Sequence, residues 1–148
     1  MTEVEFHTGV ADRSGFACRL LRKAYRQGAR VLVTAPHDVL AEIDRLLWTF
    51  DDRDFVPHVR VPGAAATVAS RTPIWLSADL QHAAAPGAPP VVLNLGAPLP
   101  PALGGLGRLI EVVSDDPDDA DRGRGRWRAY KAAGLHIKHH HGAPLSRD

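Results

Sequence analysis

The stretch from Val4 to Ala35, VEFHTGVADRSGFACRLLRKAYRQGARVLVTA, decides the fold. Its first piece, VEFHTG, reads as a short strand. Asp12 or Ser14 then caps a helix whose face is Phe16, Leu20, Leu21 and Ala24, spaced by three and four. Gly28 is placed to stop that helix. RVLVTA follows as a continuous apolar run, the pattern of a strand covered on both faces, as in a parallel sheet.

Working outward, the alternation repeats. Val39, Ile43, Leu46, Leu47 and Phe50 form one stripe of a second helix. FVPHVRV (55–61) reads as a strand, and Pro57 argues against a central place for it. Residues 62–105 are rich in Gly, Ala and Pro, with two short strands in PIWLS and VVLNLG and a loop in AAAPGAPP. RLIEVVS (108–114) is another buried strand, DDPDDADRGRGRWRAYKAAG a helix, and LHIKHHH a last edge strand. Strand–helix order of this kind predicts an α/β layered fold with right-handed crossovers. No internal repeat is present, and the 148 residues suit one domain with a real core.

The totals exclude several classes. A net charge of +1 gives no global pull toward nucleic acid, so anion affinity must come from a local patch. Cys18 is the one cysteine, which rules out an internal disulfide. The start, MTEVEFHTGV, is acidic and is not a signal peptide, and no run of about 18 apolar residues predicts a membrane span. A soluble cytoplasmic domain is expected. Neither a G-x-x-x-x-G-K-[ST] loop nor a G-x-G-x-x-G after the first strand occurs. LGGLGR precedes a strand rather than opening a helix, so no nucleotide or other cofactor is expected.

His136, His139, His140 and His141 cluster, and His139 and His141 share a strand face. No carboxylate or cysteine lies nearby in sequence to complete a metal shell, so a solvated edge strand is expected and no metal. Cys18 has no assignable base and reads as a core residue. SDDPDDAD lacks EF-hand spacing, and its aspartates suit a first helical turn. Glu111 and the aspartates from 115 to 121 precede Arg122, Arg124, Arg126, Arg128, Lys131 and Lys138, an order that the helix dipole favours. The dipole does not explain azimuth. Arg124, Arg128 and Lys131 fall at i, i+4 and i+7 on one stripe, with Trp127 beside it and Tyr130 one step further round. That edge offers cations against an apolar wall, a surface for anions. In LLWTFDDRDFVPH, Trp48 and Phe50 cannot both face the core, which leaves one of Trp48 and Phe55 exposed as an interface anchor or packed under a loop.

LLW…DFVPH, VVLNLG, LIEVVS and RGRWRAYKAAGL come in this order and at suitable intervals, and together they resemble the chi subunit family of bacterial DNA polymerase III holoenzyme. The similarity runs from the first strand to about His139; the Ala/Pro/Gly-rich middle and the trailing HHHGAPLSRD carry no family feature. The resemblance implies one chi-like domain over 1–141 with a C-terminal tail at 142–148. It implies a three-layer Rossmann-like α/β fold with a mainly parallel central sheet that lacks a nucleotide-binding loop.

The resemblance also implies a non-catalytic accessory subunit in the cytoplasmic, nucleoid-associated replisome. Such a subunit pairs with psi, which tethers it to the clamp loader, and holds the acidic C-terminal tail of single-stranded-DNA-binding protein. DNA would be met only indirectly, and no membrane at all. Carried over by position, tail binding falls on Arg124, Trp127, Arg128 and Lys131 with Tyr130 in support, and psi binding on Trp48, Phe55, Val56 and Pro57. Guanidinium forks suit carboxylates, and an apolar wall suits a terminal phenylalanine. The rival expectation is a domain that binds single-stranded nucleic acid directly through the Arg/Trp helix.

Overall fold

The computed structural model describes residues 3–49, 55–78, 87–98 and 107–141. Along the chain run β1 (Glu3–Val10), α1 (Arg13–Arg26), β2 (Val31–Thr34), α2 (His37–Thr49), β3 (His58–Arg60), α3 (Ala66–Arg71), β4 (Ile74–Ser77), β5 (Val91–Asn94), β6 (Arg108–Ser114), α4 (Pro117–Ala132) and β7 (Ile137–His141). The strands form a seven-stranded sheet in the order β3-β4-β2-β5-β6-β1-β7. Every pairing is parallel.

Period-two alternation divides the sheet's side chains between two cores. Val31, Val33, Ile74, Leu76, Leu93, Ile110 and Val112 pack with Phe16, Leu21, Ile43 and Leu47 of α1 and α2. Leu32, Trp75, Val92, Leu109 and Val113 belong to the other face, with Tyr130 of α4. Helices thus cover both faces of the sheet, which gives the three-layer Rossmann-like fold. β2 and β4 are buried at every position, as their unbroken apolar runs predict.

The first unit forms as its sequence reads. Asp12 is the N-cap of α1, and its carboxylate accepts from the Gly15 N–H at 3.0 Å. That carboxylate fills the helix N-terminus, the place where a phosphate would sit in a nucleotide-binding relative of this architecture. β3 is short and lies at the sheet edge, where the Pro57 argument puts it. β7 is the opposite edge.

The middle of the chain differs from expectation. α3 occupies Ala66–Arg71, a stretch that shows no helical periodicity; Trp75 Nε1 donates to the Ala69 carbonyl at 2.8 Å and ties it to β4. Phe50, the first half of AAAPGAPP (83–86) and the tail 142–148 lie outside the described residues. Among the described residues no helix is long and apolar enough to cross a membrane.

Candidate functional site

α4 begins with Asp116 as its N-cap, accepting from Asp118 N–H at 2.8 Å, and with Pro117 in its first turn. Asp119 is buried. It accepts from Ser114 N–H at 2.7 Å, from Ser114 Oγ at 2.8 Å and from Arg13 Nη1 at 2.8 Å. One carboxylate thereby fixes the start of α4 to the end of β6 and to α1.

The buried stripe of α4 is Asp119, Gly123, Arg126 and Tyr130. Gly123 is required by contact: a Cβ there would meet Val113 Cγ2 at 2.8 Å. Arg126 Nε donates to both Glu111 oxygens at 3.1 Å, Asn94 Nδ2 donates to Glu111 Oε2 at 2.9 Å, and the Tyr130 hydroxyl donates to that same oxygen. Thr34 Oγ1 extends the network to Asn94 Oδ1 at 2.9 Å. Burial pushes the Glu111 carboxyl above its ordinary range, opposed by Arg126 and by the Tyr130 and Asn94 hydrogen bonds. Burial, and then Glu111 itself, push the Tyr130 phenol up.

Two sequence readings are corrected here. Glu111 lies in the interior of β6, and Arg126 is its buried partner, so neither is part of an exposed dipole pattern. Tyr130 does not stand on the cleft wall. The helix azimuth that points Arg126 at Glu111 also points Tyr130 inward, where it is completely buried and backs Trp127 through their shared neighbour Phe6.

The flank of α4 beside this stripe opens on a cleft of about 750 Å³. Arg124, Trp127 and Arg128 form one wall. Phe6, Val113 and Gly123 give an apolar floor, and His139 and His141 of β7 form the second wall. Both arginines are exposed, and Arg124 Nη2 makes a surface contact to Asp121 at 3.3 Å. Trp127 is half-buried, edge-on to Phe6 at 5.0 Å and to His139 at 5.2 Å. Lys131 is exposed, outside the cleft lining, with Nζ 5.9 Å from the Trp127 ring centroid. Asp115 is the acidic member of the lining.

The second wall was not assigned from sequence. Its signal was the alternation that puts His139 and His141 on one face. Thr8 Oγ1 holds both rings, at 2.7 Å from His139 Nε2 and 2.8 Å from His141 Nδ1. Gly9, at φ +65°, makes room: a Cβ would lie 2.7 Å from His141 Cε1.

Across the sheet, by the β3 edge, Trp48 and Phe55 are 62% and 49% exposed and pack against each other at a tilt, with ring centroids 4.9 Å apart. Both are exposed, where the spacing argument left one so. His58 supports the pair at 5.2 Å from Trp48, and is itself held by Asp44 at 2.9 Å and the Val56 carbonyl at 2.7 Å. Pro57 is half-buried. Val56, by contrast, has no accessible surface; it packs into the α1/α2 core and underlies the aromatic face instead of forming it. Cys18 is buried too, and burial pushes its thiol up to about 12, away from any nucleophilic range.

A family model described as DNA polymerase III chi subunit, HolC, matches residues 1–138. The chain is 30% identical to DNA polymerase III subunit chi of Pseudomonas aeruginosa over 150 aligned positions, covering 95% of this chain and 96% of the relative. It is 27% identical to the protein of the same name from Haemophilus influenzae, over 82% of this chain and 81% of that one. On the match across nearly its whole length, this chain belongs to the DNA polymerase III chi subunit family.

Proposed function

We propose that this chi-family chain is a connector without a catalytic site of its own in the bacterial replisome. In this reading the α4 cleft receives the acidic C-terminal tail of single-stranded-DNA-binding protein. The Trp48/Phe55 face docks psi, and through psi the clamp loader. The observation that carries the reading is the cleft: two exposed arginines on the rim of an apolar floor. Arginine forks pair with carboxylates, while Phe6, Val113 and Trp127 offer a terminal aromatic ring a place to be buried. The partners imply a cytoplasmic, nucleoid-associated location.

The same geometry disfavours direct nucleic-acid binding. Trp127 is engaged edge-on by Phe6 and His139, which leaves it poorly placed as a stacking platform for bases. Asp115 in the lining and the net charge of +1 also oppose a phosphate backbone.

Calorimetry with an acidic peptide ending in phenylalanine, as free acid and as amide, tests the proposal. The free acid should bind more tightly by about 1–3 kcal/mol, the range for a charge-assisted hydrogen bond. Rising salt should weaken but not abolish binding, because ring burial is not screened. Equal affinity for acid and amide would remove the cleft as the carboxylate receptor.

A further inference from the structure

The run His139-His140-His141 is split by the pleat of β7. His139 and His141 turn to the cleft and to Thr8. His140 turns to the other face of the sheet, where β1 carries Glu5 and His7 at i and i+2. His140 stands opposite His7 in the parallel register, and their rings stack at 4.8 Å. Glu5 Oε1 lies 2.8 Å from His7 Nε2 and 3.7 Å from His140 Nε2. All three potential ligand atoms fall within 4.8 Å of one another. The carboxylate that sequence proximity could not supply to the histidines therefore comes from the neighbouring strand.

We propose that Glu5, His7 and His140 form a binding site for a divalent transition-metal ion, with zinc the best-matched. Two imidazoles and one carboxylate suit zinc and its neighbours in the first transition row, not calcium or magnesium, which take oxygen shells. With zinc–ligand bonds of about 2.0–2.2 Å, ligands in a tetrahedral site stand roughly 3.3–3.6 Å apart. The observed 2.8 and 3.7 Å bracket that spacing, so small side-chain shifts complete the shell. His140 is exposed, so the fourth position opens to water, the arrangement of an open site.

The surroundings fix two of the ligands. Arg108 Nη2 holds the other Glu5 oxygen at 2.8 Å, which orients the carboxylate and leaves Oε1 for the metal. Its positive charge also limits the affinity. His7 is buried against Phe16, with ring centroids 5.1 Å apart. Its Nδ1 is buried without a hydrogen-bond partner among the described residues. Binding through Nε2 moves the ring proton to Nδ1, so an orphan acceptor becomes an orphan donor and the cost of that atom largely cancels. The bound ion would strap the edge strand β7 to β1.

The test uses the full chain without an affinity tag. Zinc chloride, at a free concentration about 100 times the dissociation constant, should raise the melting temperature by roughly 5–10 °C. Cobalt(II) should bind with one-to-one stoichiometry and give the intense visible bands of a four-coordinate ion. His140→Gln, an exposed change that spares folding, should weaken metal binding at least about 10-fold, and Glu5→Gln should do likewise. The double variant His139→Gln/His141→Gln should keep the cobalt spectrum. No zinc-dependent shift in the natural chain, or full binding by His140→Gln, overturns the proposal. Loss of the spectrum only in the 139/141 variant overturns it too, and places the metal on the cleft side.

Discussion

Arg126 and Arg128 stand two residues apart on α4, one buried on Glu111 and the other exposed on the cleft rim. The same substitution should therefore be read by different instruments. Arg126→Ala leaves a buried carboxylate without its charge partner and should cost about 3–5 kcal/mol in urea unfolding. Arg128→Ala should leave stability within about 0.5 kcal/mol and weaken tail-peptide binding by about 1–3 kcal/mol. An Arg128→Ala variant that binds normally would count against the cleft. Sequence spacing found Arg128 because helical stripes are legible in primary structure. It could not tell Arg126 from its neighbours, because the partner that makes Arg126 a core residue sits in another element, inside a strand whose interior is apolar apart from Glu111. Val56 was misread for a related reason: a proline turn exposes Phe55 and buries the next side chain, and only the tertiary path decides which.

At the scale of elements, the two glycines of α4 separate packing from propensity. Both weaken a helix in isolation by up to about 1 kcal/mol relative to alanine. Gly123 faces Val113 with no room for a Cβ, whereas Gly125 faces open space. Gly123→Ala should therefore destabilise by about 1–3 kcal/mol as α4 is pushed off β6. Gly125→Ala should stabilise by about 0.5–1 kcal/mol; thermal unfolding of the two variants should shift in opposite directions. The central strands β2, β4, β5 and β6 were legible because each is a short, mostly apolar run, and α1 and α2 because their stripes repeat at three and four. α3 was not: six residues of ATVASR amid Gly and Pro carry too little periodicity. α4 was found by its charge order, while its inward face stayed hidden because that face is Asp119, Gly123, Arg126 and Tyr130 rather than a row of leucines.

Across the whole molecule, the strand order puts the Trp48/Phe55 face by β3 and the α4 cleft by β7, at opposite edges of the sheet. Six strand spacings of about 4.8 Å separate those edges by roughly 30 Å. Substitutions at such distance add independently. Trp48→Ala should cost on the order of 2 kcal/mol in psi affinity, with little change in stability, and leave tail-peptide affinity unchanged within about 0.5 kcal/mol. A matching loss of stability would place Trp48 in the core. The same order has a further consequence in time. Among the described residues β1 pairs with β6 and β7, and its partners in both lie a hundred residues or more further along the chain. A ribosome adding about 5–20 residues per second leaves β1, with its apolar Val4 and Phe6, without neighbours for roughly 5–20 s. Nascent chains halted before residue 107 should be cut readily by protease within β1 and captured by chaperones, whereas chains released after β7 should resist. β1 emerges well before either strand it pairs with, and must wait for both to find its place.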